Sequence, residues 1–441
     1  MRLKSYPKMK DSGVEWIGKV PENWEIKKIK YDFDIRSGKT LQSSVENEDE
    51  IPVKYITTSN VLWEKIDLNN LPTMWANKNE IRKYGVKNGD LLVCEGGEGG
   101  RSAVLEKIEM DCITQNHVHI VRPKNNQNTK FLMYVLESIK NSKWFEAITA
   151  RVTISNLPNL TLANTRIPFP SSGEQNNVVK FLEIETSKID SYSEKYQKMA
   201  NLLKEKAKIV VNQAVTKGLE PSVLMKDSKV KAIGLIPKKY HIKQLKHVVL
   251  EMISGPFGSS LKKEEYSKNG YRVYGQEQVI PANFSIGDYY IPKEKFQTMK
   301  RFQVFPNDVL ISCVGTFGKI ALVPENIEKG IINPRLIKLT PNPKICFPKF
   351  LVEYLKSSSC YSQLEESSRG GTMDIINLEI LSKLFIPIPP LNEQKNIVSF
   401  VENEISKINK IISKCNHKIE KLREFRNSLI SSATTGKIDL R

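Results

Sequence analysis

The stretch Ser172-Gly-Glu-Gln-Asn-Asn-Val-Val-Lys-Phe-Leu-Glu-Ile-Glu-Thr-Ser-Lys-Ile189 returns 219 positions later as Leu391-Asn-Glu-Gln-Lys-Asn-Ile-Val-Ser-Phe-Val-Glu-Asn-Glu-Ile-Ser-Lys-Ile408. Glu174, Gln175, Asn177, Val179 and Phe181 become Glu393, Gln394, Asn396, Val398 and Phe400. The match continues from Leu203, Ala214 and Thr216 onto Leu422, Ala433 and Thr435. A repeat at one fixed offset sets the architecture before any local reading does. Each copy is expected to be one long helix, from about 172 to 217 and from about 392 to 436. Ser171-Ser172 and Asn392 supply caps ahead of acidic first turns, and prolines (Pro168, Pro170, Pro387, Pro389, Pro390) end the strand before each. Gly218 and Gly436 supply the stops.

Apolar residues in both copies fall at steps of three, four and seven, as in a coiled-coil seam. In the first copy we place Leu182, Ile189, Tyr192, Tyr196, Met199 and Leu203 on that seam. In the second we place Val401, Ile408, Ile411, Leu422, Phe425 and Leu429, with Lys418 as an interruption where the first copy has Met199. One apolar stripe needs a partner, and the other copy is the nearest. About 44 residues at ~1.5 Å rise make a rod of ~66 Å.

Working outward, each long helix follows a strand-rich segment punctuated by glycine. Ile17-Gly-Lys-Val-Pro21 recurs as Ile233-Gly-Leu-Ile-Pro237, with Trp24 matched by Tyr240. Asp90-Leu-Leu-Val-Cys94 recurs as Asp308-Val-Leu-Ile-Ser312. A glycine-rich turn follows each and ends in a cation, Arg101 or Lys319. Such a turn suits a phosphate, through backbone amides and a charge, or an ordinary hairpin. Lys130-Phe-Leu132 recurs as Lys349-Phe-Leu351, each opening a helix of about 15 residues. The expected order is a head at 1–171, a helix at 172–217, a linker at 218–230, a second head at 231–390, a helix at 391–436 and a tail at 437–441. The fold class is α+β: two similar strand-rich domains separated by two long antiparallel coiled-coil helices, an internal pseudo-two-fold repeat. The frames match while segments such as 51–80 and 271–300 differ, which suggests two binding heads with different targets.

With 67 Lys and Arg against 49 Asp and Glu, the net charge of +18 points to a polyanion, with nucleic acid first. No window approaches a membrane span, so no membrane partner is expected. The polar opening and six scattered cysteines suggest a cytoplasmic protein with reduced thiols. Gly38-Lys39-Thr40 lacks the glycine a phosphate loop needs five positions earlier, where Phe33 stands. His117 and His119 have no neighbours at ligand spacing, so no metal site is expected. No catalytic constellation is visible.

These features together resemble the DNA specificity subunit of type I restriction–modification systems. The resemblance rests on Lys10-Asp-Ser-Gly-Val-Glu-Trp-Ile-Gly-Lys-Val-Pro-Glu-Asn-Trp24, the two strand–glycine turns, both Ile-Pro-x-Pro…Glu-Gln helix entries, and the ends Ala214-Val-Thr-Lys-Gly218 and Ala433-Thr-Thr-Gly-Lys437. It covers the whole chain. It implies that each head is a target recognition domain for half of a bipartite double-stranded DNA site, with the helices as spacer. It implies two methyltransferase subunits as partners, which hold S-adenosylmethionine and methylate adenine at N6. It also implies motor/nuclease subunits that use ATP and Mg. The chain itself would be non-catalytic and bind no cofactor. The cations we nominate for DNA contact are Arg36, Lys39, Arg101 and Arg151 in the first head, and Lys262, Lys263, Lys319 and Arg369 in the second. A coiled-coil adaptor with two protein-binding heads is the alternative.

Overall fold

The computed structural model describes residues 4–145, 156–257, 260–313, 319–367 and 377–441, without the Lys263 side chain. The chain divides into two compact units. One comprises Met1–Tyr196 with His417–Arg441, and the other Gln197–Asn416. Each unit therefore contains one head, the start of one long helix and the end of the other.

In the first unit a hairpin, β1 (Met9–Asp11) with β2 (Lys19–Pro21), precedes β3 (Glu25–Lys28) and β4 (Phe33–Ser37). Then come β5 (Ile51–Ile56), β6 (Thr73–Ala76), helix α1 (Lys78–Tyr84), β7 (Leu91–Cys94) and β8 (Ser102–Val104). They are followed by β9 (Cys112–Thr114), β10 (Val118–Pro123), helix α2 (Thr129–Asn141) and β11 (Arg166–Phe169). The long helix α3 (Ser172–Lys217) follows. Four strands form an antiparallel sheet in the order β4-β10-β7-β8. Three more form β6-β5-β9, in which β5 and β9 run parallel. β11 returns to pair with β3.

The second unit repeats this plan. Its strands are β12 (Met225–Asp227), β13 (Leu235–Pro237), β14 (His241–Gln244), β15 (Val249–Ser254), β16 (Tyr271–Tyr274) and β17 (Tyr290–Ile291). Helix α4 (Lys293–Thr298), β18 (Val309–Ser312), β19 (Ile320–Leu322), β20 (Gly330–Ile332) and β21 (Leu336–Pro341) follow. Next are α5 (Pro348–Leu355), α6 (Ser358–Ser367), β22 (Phe385–Ile388) and the long helix α7 (Leu391–Thr434). Its sheets are β15-β21-β18-β19 and β17-β16-β20, with β16 and β20 parallel, and β14 pairs with β22. The expected 15-residue helix at Lys349 is shorter: α5 stops at Leu355, and α6 begins after Ser357.

The segment read as a linker, 218–230, contains β12. Its Met225-Lys-Asp-Ser228 repeats Met9-Lys-Asp-Ser12, so the entry hairpin β12–β13 copies β1–β2. The tail folds back as well: Ile438 is buried, and the Asp439 amide donates to the Lys4 carbonyl at 2.8 Å.

The runs read as buried strands are packed on both faces, as their near-continuous apolar character requires. In β7, Leu91 and Val93 enter a core with α2 and the start of α3, while Leu92 and Cys94 enter another. In β18, Val309 and Ile311 face α5 and the start of α7, and Leu310 faces the opposite core.

One glutamine bolts each head to the helix that follows it. Gln175 donates to the Pro170 carbonyl (3.1 Å) and accepts from the Asn128 amide (2.9 Å). Gln394 donates to the Pro389 carbonyl (2.8 Å) and accepts from the Phe347 amide (2.7 Å). One residue earlier, Glu174 accepts from Trp24 Nε1, and Glu393 accepts from the Tyr240 hydroxyl. The same aromatics take the far helix ends. A Cβ at Gly436 would lie 3.2 Å from Trp24, and one at Gly218 would lie 2.5 Å from the Tyr240 hydroxyl. Ser171 and Glu174 exchange capping hydrogen bonds at the start of α3. At α7 Asn392 is no cap: the helix begins at Leu391, and the Pro390 carbonyl receives the Glu393 and Gln394 amides.

The buried stripe of α3 is a heptad seam of two lines. One is Leu182, Ile189, Tyr196, Leu203 and Val210; the other is Thr186, Ser193, Ala200, Ala207 and Ala214, all buried or half-buried. In α7 the equivalent lines are Val401, Ile408, Cys415, Leu422 and Leu429, then Ile405, Ile412, Ile419, Arg426 and Ala433. Four of the expected seam residues lie elsewhere: Tyr192, Met199, Ile411 and Phe425 are exposed at 55%, 46%, 40% and 56%. Each stands one position before a seam residue, and Lys418 likewise precedes Ile419, so it interrupts nothing. Small side chains line α3 where branched ones line α7, the size alternation that interdigitating helices require. The pairing is antiparallel within each unit. Val178 and Leu182 share a core with Leu429 and Ala433, and Ala214 and Val215 share one with Ile397 and Val398. Among the described residues, no helix is long and apolar enough to cross a membrane.

Candidate nucleic-acid interface

The nominated cations divide into those held by the protein and those facing solvent. Lys39 is buried, and its ammonium pairs with Glu80. Glu80 also closes the capping box of α1 with Asn77. The backbone there is equally confined, because a Cβ at Gly38 would stand 2.3 Å from the Thr114 and Gln115 carbonyls. Lys39 is thus a fixed part of the fold, held by Glu80 and turned away from solvent.

Arg101 is held within the fold in the same way. Its guanidinium donates to the Thr58 carbonyl at 2.7 Å and meets Glu98 at 3.4 Å, and Glu98 in turn accepts from Trp63 Nε1 at 3.1 Å. The Arg101 Nε is buried without a partner among the described atoms. The first glycine turn folds its cation inward onto Glu98, while Glu95 lies 3.6 Å from His117 Nδ1. That arrangement is a hairpin turn whose cation is already paired within the fold. Gly97 and Gly100 supply its positive φ angles of 75° and 90°. Residues 314–318 of the second turn lie outside the described residues, as do Arg151 and Arg369.

Arg36 lies one residue before the end of β4, is exposed, and pairs with Asp34 at 2.5 Å. Lys262 and Lys319 are exposed. Lys263 opens the short 3-10 turn Lys263–Glu265, with its side chain outside the described residues.

Surface aromatics beside cations escaped the sequence reading. Lys30 lies 5.8 Å from the ring of the exposed Tyr31, and Lys83 lies 4.9 Å from that of Tyr84. In the second head Phe257 is 82% exposed at the tip of Gly255-Pro-Phe257. Lys329 stands over the half-buried Tyr271, whose other neighbour is the buried Phe296, with ring centroids 3.9 Å apart, so this pair is packing and not a stacking surface. The adjacent Lys-Tyr dipeptides and the Gly-Pro-Phe tip were the available signals. An exposed ring next to a cation can stack on a base and attract the phosphate beside it.

His119 is buried in the first core, with Nε2 3.0 Å from the Leu157 carbonyl and Nδ1 3.3 Å from Ser37 Oγ. Burial holds its pKa below the usual imidazole range. It is a structural histidine, and no cluster of three or more metal-ligating side chains occurs among the described residues. All six cysteines are buried and free.

Two heads share one frame, differ in their loops and display scattered cations. A family model for the type I restriction modification DNA specificity domain matches the chain twice, over residues 21–200 and 238–421. The chain belongs to this family. It is 25% identical over 362 residues to the type I restriction enzyme EcoBI specificity subunit of Escherichia coli, covering 80% of this chain and 75% of that one. It is 22% identical over 429 residues to the MjaVIII specificity subunit of Methanocaldococcus jannaschii, covering 95% and 94%. In fold it is similar to a solved chain from work on assembly and conformational transition of the type I R-M system, with a TM-score of 0.69, 15% identity and coverage of 94% and 98%. It also resembles the HsdS subunit of Thermoanaerobacter tengcongensis, with a TM-score of 0.53, 16% identity and coverage of 95% and 98%. Each matched segment falls within one copy of the sheet-and-helix plan. The chain is a DNA sequence-specificity subunit of the type I restriction–modification class.

Proposed function

We propose that each head reads one half of a bipartite double-stranded DNA site, and that the long helices set the gap between the halves. The observation that carries this reading is the duplicated frame with unlike loops: β5 and β16 occupy equivalent sheet positions, yet the segments around them share no sequence pattern. Equivalent scaffolds with different surfaces fit two readers with different targets. Arg36, Lys262, Lys263 and Lys319 are the cations proposed for phosphate or base contact, with Phe257 and Tyr31 as stacking candidates. Net positive charge supplies the salt-dependent, sequence-independent share of affinity.

The chain's role is recognition. Two methyltransferase subunits holding S-adenosylmethionine would dock on it and methylate adenine at N6 after flipping the base out. Motor/nuclease subunits using ATP and Mg would cleave unmodified DNA. The complex would work in the cytoplasm. Replacing one head by that of another specificity subunit tests the reading: only one half-site should change. A change in both half-sites would end the two-reader account.

A further inference from the structure

The two halves of the chain are built alike, so what makes each half take the other, and not a second copy of itself, needs a cause. Arg426 stands on the seam of α7, where the equivalent residue of α3 is Ala207. Its guanidinium is only 14% exposed and is held by three carboxylates of the first half. It pairs with Glu137 of α2, with Glu64 of the segment between β5 and β6, and with Asp190 of α3 at 3.3 Å. Glu64 is fixed in turn by the Tyr134 hydroxyl at 3.4 Å and has a positive φ of 60°. All of these groups lie in one compact unit. The positions equivalent to Glu137 and Asp190 in the second half are Lys356 and Asn409, so that half carries neither carboxylate.

We propose that this ion network is a pairing code that makes the first half of the chain complementary to the second and incompatible with itself. If the second half paired with its own copy, Arg426 would face Asn409 and Lys356, and Glu353, already beside Lys356, would stand there in place of the three carboxylates of the first half. If the first half paired with its own copy, Glu64, Glu137 and Asp190 would surround Ala207 with no cation at all. Both arrangements leave buried charge poorly compensated, which is disfavoured, whereas the mixed pair sets the cation directly against carboxylates. The remaining seam does not discriminate this way, since its other members are apolar, small or uncharged. This inference is independent of DNA reading.

The test uses the full chain with a protease site inserted between Gly218 and Met225, cut after folding, unfolded in denaturant and refolded. The halves then choose partners afresh, and native mass spectrometry weighs the pairs. The unaltered chain should give first-half–second-half pairs. Arg426→Ala should raise self-pairs of the second half by about tenfold or more, and Arg426→Lys should not. If Arg426→Ala does not refold, Glu137→Gln with Asp190→Asn provides the same test through self-pairs of the first half. Equal self-pairing in the altered and unaltered chains, or abundant self-pairing in the unaltered chain, would overturn the proposal.

Discussion

Replacing Gln394 by Met should loosen the second head at one defined place. The Gln394 side chain is fully buried and satisfies three backbone groups: the Phe347 amide at 2.7 Å, and the Ile345 and Pro389 carbonyls at 2.8 Å each. Methionine fills nearly the same volume, so little of the cost comes from a cavity. What remains is three buried polar groups without partners. At about 1 kcal/mol each, the low end for such groups, the sum is about 3 kcal/mol. Local opening should then be favoured by roughly a hundredfold. Hydrogen exchange read by mass spectrometry is the suitable assay, because a chain of two units need not unfold in one step. Peptides spanning 345–356 and the first turns of α7 should exchange about a hundred times faster, and the equivalent peptides around Asn128 and Gln175 should not change. If protection at 345–356 falls by less than about threefold, the glutamine is not the bolt described here.

Gly436→Ala should destabilise the first unit by ~2–4 kcal/mol, because the position has φ +68° and its Cβ would press on Pro21 at 2.3 Å; a denaturation midpoint reads this directly. Burial pushes Glu137 up to about 7, against the pull of Arg426. A carboxyl raised in the folded state contributes stability that is fully present below its ordinary 4.5 and is lost as pH rises through about 7. Glu137→Gln should flatten the pH–stability curve over that window, read from denaturation midpoints. Lys39→Ala should lower stability by about 1–2 kcal/mol and leave DNA affinity unchanged. Lys319→Ala should weaken DNA binding at all sequences and reduce the slope of log affinity against log salt by ~0.9, measured by fluorescence anisotropy.

The duplicated plan was open to sequence reading because prolines, glycines and glutamines recur at fixed offsets, and each occupies a position that only its own chemistry fills. The start of the second head was not, since the short Met225-Lys-Asp-Ser228 match looked like a charged linker until it paired with β13. Half of the helix seam was equally hidden. A search for bulky apolar residues selects Tyr192 and Met199, but close-packed helices place Ser193 and Ala200 between them, and small side chains leave no hydrophobic signature. The same search selects Phe425 over Arg426, because a seam arginine makes sense only once Glu64 and Glu137 are brought to it. Lys39 and Arg101 show the matching limit in the heads. A lysine or arginine beside glycine signals a phosphate site or a turn alike, and what decides is a distant partner such as Glu80 or Thr58.

The central claim is that this chain supplies the sequence address through two separate heads. The direct test is a genome-wide map of N6-methyladenine in a host without other adenine methylation, expressing the chain with its cognate methyltransferase. The account predicts a split motif of two short half-sites around a fixed non-specific gap, and no methylation when the chain is omitted. A continuous motif would contradict the two-head geometry, and methylation that persists without the chain would contradict its role as the reader.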